Sequence, residues 1–238
     1  MPTFTPDILQ GQVALVTGGG TGIGKEIART FGRHGARLCI AARRQEVIEA
    51  TKQEFEQEGL ECLAVPCDVR QPDQVEVVLQ ETLARFGRLD VLVNNAAGNF
   101  VCPAERMSSN AWRAVLGIVL DGTFYCSKAF GKQMMQAGDD GAPRGGSIVN
   151  IIATYAWTGM AGVVHSASAK AGVLAMSKSL AMEWARFGIR NNCVAPGPFL
   201  AEALLFLPLN FAGSFTSVSA GASSSAGSSS TGNTGGHP

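Results

Sequence analysis

The residues with the clearest chemical meaning lie between positions 155 and 170, where a lysine has an unusual neighbour. Ser166 precedes Lys170 by four positions, and Tyr155 is the only tyrosine within reach. A tyrosine one helical turn before a lysine could protonate a ketone oxygen, because the ammonium group lowers the pKa of the phenol. A serine hydroxyl is too weak an acid for that step. We therefore predict that Tyr155, if catalytic, reaches the substrate from a loop before the helix and polarises an extended carbonyl compound.

A glycine-rich loop at residues 17–24 has the pattern of a pyrophosphate-binding turn. It follows the first predicted strand and opens the first predicted helix, where backbone amides and the helix dipole can meet phosphate charge. Glycines allow the backbone to turn sharply and to approach the ligand closely. A flexible loop is the alternative, but the strand–turn–helix context favours nucleotide binding. The candidate cofactor-binding residues here are Gly18, Thr21, Gly22, Ile23 and Gly24.

The end of the second predicted strand indicates which dinucleotide binds. The strand runs into Arg43 and Arg44, with no acidic residue where a carboxylate would bind the ribose 2′-hydroxyl of NAD. Arg43, alone or with Arg44, can pair with a 2′-phosphate, which a carboxylate would repel. We therefore predict NADP(H) as the cofactor. The alternative is that both arginines begin a solvated helix face.

Two further cofactor signals follow strands, at the edge where open parallel sheets bind ligands. Asp68 and Val69 follow the third predicted strand, and Asn95 and Ala96 follow the fourth. An aspartate at this place can accept a hydrogen bond from the adenine amino group, and small residues let a cofactor lie against the backbone. The structural alternatives are a helix cap at Asp68 and a tight turn at Gly98.

The elements that must position these residues follow from the hydrophobic pattern. Between residues 13 and 192, short β-branched runs alternate with segments of helical period, which indicates a parallel sheet with crossover helices. The predicted strands are 13–17, 37–41, 61–66, 91–94, 146–152 and 190–194. The predicted helices are 22–34, 46–57, 72–86, 110–136 and 164–187. This pattern predicts a single α/β domain, a Rossmann-like doubly wound parallel sheet flanked by helices.

The composition limits the possible classes of function. The chain has 238 residues, of which 46% are hydrophobic and 16% charged, and its formal net charge is +0. This balance gives no electrostatic reason to expect binding to nucleic acid or to anionic membranes. Six scattered cysteines without a CxxC pair favour free thiols over disulfides or a metal site. The sequence shows neither a signal-peptide pattern nor an apolar run of membrane-spanning length, so we predict a cytoplasmic protein.

The sequence changes character after about residue 200. From residue 212 onward it is mostly Gly, Ser, Ala and Thr, which offers too little apolar area to offset the entropy of ordering the chain. We predict a nucleotide-binding domain at residues 1–200 and a disordered low-complexity tail at residues 201–238.

The order and spacing of four motifs resemble the short-chain dehydrogenase/reductase superfamily across about residues 8–199. These motifs are the 17–24 loop, the 94–98 segment, Lys170 and the Pro196-Gly197 pair. Within the superfamily, the chain is similar to the 2,4-dienoyl-CoA reductases, especially the mitochondrial type and its bacterial relatives, at segments 96–100, 110–112, 118–124 and 165–172 and at Tyr155. Those enzymes lack the usual tyrosine four before the lysine and reduce conjugated dienoyl thioesters with NADPH. The resemblance adds Pro196 and Gly197 to the candidate cofactor-binding residues.

The resemblance also implies catalytic roles for four residues. Tyr155 matches the donor to the thioester oxygen, where negative charge collects after hydride addition. Lys170 matches the lysine that binds the nicotinamide ribose hydroxyls, and Ser166 matches the serine that orients the nicotinamide and the lysine. Asp121 stands where the mitochondrial type has a second donor, an asparagine, and where the peroxisomal type has an aspartate. It is either protonated in a desolvated pocket, or orders the water that supplies a proton, or merely caps the helix.

We therefore predict NADPH-dependent reduction of 2,4-dienoyl-CoA thioesters in the β-oxidation of unsaturated fatty acids, with an acyl-CoA as the substrate. One alternative is a trans-2-enoyl-CoA or carbonyl reductase of the same superfamily. Another is a non-catalytic protein that binds NADP(H) or pairs with other subunits, because no final helix and seventh strand are readable after Glu202. That loss favours a truncated, frame-shifted or diverged C-terminus. The resemblance also implies a homo-oligomer, a dimer or tetramer formed through the helices at 110–136 and 164–187.

Overall fold

A parallel sheet of six strands forms the centre of the computed structural model, which describes residues 4–138 and 141–197. Its spatial order is β3-β2-β1-β4-β5-β6, and all neighbouring pairs are parallel. The strands are β1 (Val13–Thr17), β2 (Arg37–Ala42), β3 (Cys62–Pro66), β4 (Val91–Asn94), β5 (Gly146–Ile151) and β6 (Ile189–Val194). The predicted fold class is confirmed, and each predicted strand end lies within one residue of the observed one.

Helices cover both faces of the sheet, which explains why the central strands β1, β2 and β4 are largely apolar and buried rather than alternating with polar residues. Successive residues of β1 enter different cores: Val13 and Leu15 pack in one, and Ala14 and Val16 in the other. The first core also contains residues of α3, α5 and α7, and the second contains residues of α1 and α2. The helices are α1 (Gly22–Arg33), α2 (Gln45–Gln57), α3 (Pro72–Phe86), α4 (Ser109–Leu116), α5 (Gly122–Met134), α6 (Tyr155–Thr158) and α7 (Val164–Trp184).

The single helix predicted at 110–136 is instead built from three consecutive pieces. A π-helical segment, Gly117–Asp121, separates α4 from α5. Directly after it, Gly122 packs against the loop that follows β3, so closely that a Cβ at this glycine would lie 2.6 Å from Cγ2 of Val69. Single-turn π segments inside helices are frequent at functional sites. This one is invisible in the sequence because the apolar pattern continues across it.

A ladder of buried side-chain amides links three strands and two helices. The Asn94 amide, at the end of β4, donates to Asn150 Oδ1 at 2.8 Å, and the Asn150 amide donates to Asn191 Oδ1 at 2.8 Å. The same two amides also donate to Ser127 of α5 at 3.1 Å and to Ser177 of α7 at 2.8 Å. All five side chains are buried. Such a network in the low-dielectric interior fixes both the spacing of the strands and the position of α7.

The segments outside the described residues include two predicted features. The tail predicted at residues 201–238 and the question of a final strand both fall there. Within the two described ranges, no helix is long and apolar enough to span a bilayer.

The amide ladder predicts a large stability effect at its centre. Replacing Asn150 with Ala removes one of the two acceptors of the Asn94 amide and the donor to Asn191 and Ser177, so buried polar groups lose hydrogen bonds. We expect the free energy of unfolding to fall by about 2–4 kcal/mol in urea denaturation. The matched control is Asn192→Ala, at an exposed position of β6, for which we expect a change within about 0.5 kcal/mol. Equal effects of the two substitutions would contradict the role of the ladder.

Candidate active site

The short helix α6 brings the Tyr155 hydroxyl to Ser166. Tyr155 is the first residue of α6, a few residues beyond the end of β5, and its phenol oxygen lies 3.0 Å from Ser166 Oγ. Ser166 is buried in the first turns of α7, whereas Tyr155 is half-buried. Tyr155 therefore approaches from before the long helix, although it lies in a helical turn rather than in the predicted loop. The geometry supplies a half-buried phenol that is oriented by a neighbouring hydroxyl.

Lys170 lies one helical turn after Ser166 and is buried. Its ammonium group donates to the carbonyl of Ile151, the last residue of β5, at 2.5 Å. Burial penalises the charged form and lowers the pKa of Lys170 to about 8. The lysine is therefore held at the carboxyl end of the sheet, with ammonium hydrogens left over for a ligand.

A cavity of about 280 Å³ lies at the same edge of the sheet, beside the first strands. It is smaller than the roughly 300–1,000 Å³ of sites that enclose a drug-sized ligand, so it fits one end of a dinucleotide rather than the whole molecule. Its lining includes seven of the predicted cofactor-binding residues, namely Gly18, Thr21, Arg43, Asp68, Val69, Asn95 and Ala96. The other predicted residues do not line it: Gly22, Ile23 and Gly24 begin α1, Pro196 and Gly197 follow β6, and Lys170 lies on α7.

The glycine-rich loop has the close packing expected of a phosphate-binding turn. Gly18 has a φ of +66°, and a Cβ there would lie 2.9 Å from the Asn95 amide nitrogen. A Cβ at Gly24 would lie 2.4 Å from the Gly18 carbonyl oxygen. The Asn95 amide donates to the carbonyls of Thr17 and Gly18 at 3.0 and 3.3 Å. The residues present therefore fit a nucleotide, with Asn95 shaping the loop as well as lining the cavity.

Thr17 stabilises the edge of the sheet at the cavity, a role that the sequence did not reveal. Its hydroxyl accepts hydrogen bonds from the backbone amides of Asn95 and Ala96, both at 3.0 Å, and donates to the Val93 carbonyl at 3.3 Å. This hydroxyl ties the end of β1 to the end of β4, where the cavity opens. A threonine at a strand end before glycines was the signal that could have indicated it.

The two arginines after β2 are available to an anion. Arg43 and Arg44 are exposed and line the cavity. In residues 4–138 and 141–197, no carboxylate lies within ion-pair distance of either guanidinium. The cavity therefore presents positive charge where β2 ends.

Asp68 is held by an arginine rather than by a helix N-terminus. The residue at the N-cap of α3 is Gln71, and the Asp68 carboxylate instead accepts hydrogen bonds from Arg70. The hydrogen bond from the Arg70 side chain lowers the pKa of Asp68 below its ordinary value. Asp68 is therefore an ionised acceptor in the cavity wall, and the helix-cap alternative is not what the structure shows.

Asp121 and His165 differ in their surroundings. Asp121 ends the π-helical segment and is exposed, so it does not lie in a desolvated pocket. His165 is fully buried against Phe100, with ring centroids 4.4 Å apart, and burial lowers its pKa. Among the described residues, neither ring nitrogen of His165 has a hydrogen-bond partner. It is therefore a neutral packing residue next to Ser166.

The family model described as short chain dehydrogenase matches residues 12–205. The chain belongs to this family. It is 42% identical over 191 residues to "Probable 2,4-dienoyl-CoA reductase [(2E)-enoyl-CoA-producing]" of Bacillus subtilis (strain 168), covering 80% of this chain and 73% of that protein. It is 47% identical over 196 residues to "Peroxisomal 2,4-dienoyl-CoA reductase [(3E)-enoyl-CoA-producing]" of Danio rerio, covering 82% of this chain and 63% of that protein.

The solved structures agree with this family assignment. A crystal structure of a short chain dehydrogenase from Bacillus anthracis is 49% identical in sequence and superposes with a TM-score of 0.74, covering 80% of this chain and 77% of that one. The predicted resemblance to the superfamily and to the dienoyl-CoA reductases is confirmed. The chain spans about two thirds of the length of several of these reductases, including 66% of an Arabidopsis thaliana relative.

The buried ammonium predicts a distinctive pH dependence of stability. The folded-state pKa of Lys170 is about 8, whereas that of an unfolded lysine is about 10.4. Between these values the unfolded chain binds more protons than the folded chain. Lys170 therefore lowers the free energy of unfolding by its full amount below pH 8, and this penalty disappears as the pH rises to about 10.4. Relative to Lys170→Met, we expect the free energy of unfolding of the unmodified protein to gain roughly 3 kcal/mol over that window.

The measurement is urea denaturation at several pH values for the protein, for Lys170→Met and for Lys178→Met. Lys178 is an exposed residue of the same helix, so its replacement should give a nearly pH-independent difference. A pH-independent difference for Lys170→Met as well would show that the ammonium is not desolvated.

Proposed function

We propose that the chain reduces 2,4-dienoyl-CoA thioesters with NADPH in the β-oxidation of unsaturated fatty acids. The contact between the hydroxyls of Tyr155 and Ser166 carries the proposal, because it places a phenol beside the serine that precedes Lys170 by one turn. The names of the B. subtilis and D. rerio relatives support the substrate class.

The chemistry follows from where charge collects. When bound, NADPH supplies a hydride to the far end of the conjugated system. Negative charge then moves to the thioester oxygen, where the Tyr155 phenol donates a hydrogen bond and stabilises it. Ser166 holds the direction of that phenol, and Lys170 binds the ribose hydroxyls of the cofactor. Asp121, which is exposed, orders the water that delivers a proton to carbon.

This arrangement favours a thioester over a ketone as the substrate. A simple ketone becomes an alkoxide after hydride addition, so the acid beside it must give up its proton completely. A dienolate oxygen needs only hydrogen-bond donation, since the proton is finally added to carbon. The residue one turn before Lys170 is a serine, which cannot serve as the acid for a ketone. A trans-2-enoyl-CoA reductase would pass through a similar enolate, and it is the alternative that substrate comparison must separate.

The remaining assignments are proposals of the same kind. An acyl-CoA is the substrate partner, and self-association as a dimer or tetramer remains a prediction. The cytoplasmic location also remains a prediction, since several relatives carry peroxisomal names. The nucleotide is held by the glycine-rich loop, by Asp68 and Val69, and by Asn95 and Ala96, which line one cavity.

Replacing Tyr155 with Phe tests the proposed donor. We expect kcat with 2,4-hexadienoyl-CoA to fall by about 10²–10³, the loss typical of one oxyanion donor, while the Kd for NADPH stays within about twofold. Steady-state absorbance at 340 nm and fluorescence titration measure the two quantities. Tyr125→Phe, which removes the chain's other phenol, should leave both unchanged. Full activity of Tyr155→Phe would rule out the assigned role.

The preference for NADPH depends on the charge after β2. Arg43→Asp replaces a cation with an anion at the cavity wall, so it should weaken NADPH binding by about tenfold or more and leave NADH binding equal or tighter. Binding is measured by titration of each dinucleotide. The control is Arg190→Asp, at an exposed position of β6 that does not line the cavity. An unchanged NADPH preference in Arg43→Asp would contradict the assignment of the 2′-phosphate site.

A further inference from the structure

Among the residues that the structure describes, Arg70 makes all the hydrogen bonds to the Asp68 carboxylate. The Arg70 Nε lies 2.9 Å from Oδ1 and 3.0 Å from Oδ2, and its Nη2 also donates to Oδ2. The backbone amide of Arg70 donates to Oδ1 at 3.1 Å. Asp68 is therefore gripped at both oxygens by a residue only two positions away, which fixes the orientation of its side chain.

Arg70 lies behind Asp68 rather than in the cavity itself. Asp68 lines the cavity, whereas Arg70 is absent from its lining. The stem of Arg70 instead packs on the helix beyond, where a Cβ at Gly117 would lie 3.6 Å from its Cδ. The backbone amide of Asp68 donates to the Gln74 side chain at 2.7 Å. Both the backbone and the side chain of Asp68 are thus held by neighbouring residues, Gln74 and Arg70, while Asp68 itself lines the cavity.

The protonation state of Asp68 decides which ligand atom can form a hydrogen bond with its carboxyl group. An ionised carboxylate has acceptors only, so a ligand atom opposite it must be a donor. The hydrogen bonds from Arg70 lower the pKa of Asp68, and the positive charge of Arg43 lowers it further. Arg70 also neutralises the negative charge of the carboxylate. The exocyclic amino group of adenine is a donor at the position where hypoxanthine has a carbonyl oxygen. An oxygen facing the fixed carboxylate would leave two acceptors opposed without a proton.

We propose that Arg70 is a positioning residue that fixes Asp68 to select an adenine base over hypoxanthine in the bound dinucleotide. The inference rests on the proposed binding of NADPH. Without the guanidinium, the Asp68 side chain can rotate and its charge is no longer neutralised beside the ligand. The loss should then fall on the adenine contact more than on binding of the phosphates and the nicotinamide.

The test compares NADPH with reduced nicotinamide hypoxanthine dinucleotide phosphate, whose base has a carbonyl oxygen in place of that amino group and a proton on the adjacent ring nitrogen. Fluorescence titration gives the Kd of each for the full chain, for Arg70→Gln and for Arg70→Lys. We expect the protein to prefer NADPH by about tenfold, and Arg70→Gln to reduce this preference to less than about threefold, mainly by weakening NADPH binding. Arg70→Lys, which retains a cation, should keep an intermediate preference.

The chain offers a matched control in a pair with the same spacing. Arg88 donates to the Asp90 carboxylate from Nε at 3.0 Å and from Nη2 at 2.6 Å, and neither residue lines the cavity. Arg88→Gln removes an equivalent ion pair, so its preference for NADPH should equal that of the unmodified protein.

The outcomes separate this inference from the proposed function. If Arg70→Gln raises the Kd of both dinucleotides by the same factor, the ion pair only stabilises the loop and the inference is overturned. A protein that binds NADPH without preferring it over the hypoxanthine analogue overturns the inference and leaves the proposed function intact. A protein that binds neither dinucleotide overturns the cofactor assignment, and the inference with it.

Discussion

The ladder of Asn94, Asn150 and Asn191 is the interaction on which the arrangement of the site depends. It fixes the spacing of β4, β5 and β6 at the edge where their functional residues emerge. Through Ser177 it also fixes α7 to the sheet, and one residue beyond Asn150 the β5 carbonyl binds the ammonium of Lys170. The polar groups of the interior are expensive to bury but highly directional, so together they define one position for the helix that carries Ser166 and Lys170.

Two regions of different electrostatic character result at this edge. The cavity near β1 and β2 presents exposed cations and glycine backbone, which suits a phosphorylated nucleotide. The region near β5 has hydroxyls and a desolvated ammonium whose pKa is about 8, which suits neutral hydroxyls and a carbonyl oxygen. Thr17 and Asn95 connect the strands between these regions. A dinucleotide extending along the strand ends would place its two halves in the environments that match their charge.

Much of this architecture could be predicted from the sequence, because fully buried strands are short apolar runs bounded by glycine and polar residues. The helical spacing of Ser166 and Lys170 was equally readable. The π-helical segment was not, since an extra residue in one turn leaves the apolar pattern nearly unchanged. The pairing of Asp68 with Arg70 and the helical turn at Tyr155 depend on side-chain direction and on neighbouring elements, which spacing along the chain does not encode.

The proposed site donates a hydrogen bond to a thioester oxygen instead of protonating a ketone. Its most direct test is NADPH consumption by the 238-residue chain offered 2,4-hexadienoyl-CoA, crotonyl-CoA or a β-ketoacyl thioester at equal concentration. We expect the fastest turnover with the dienoyl thioester and none above background with the ketoacyl compound. Faster reduction of the ketoacyl thioester, or NADPH binding without turnover of any of the three, would contradict it.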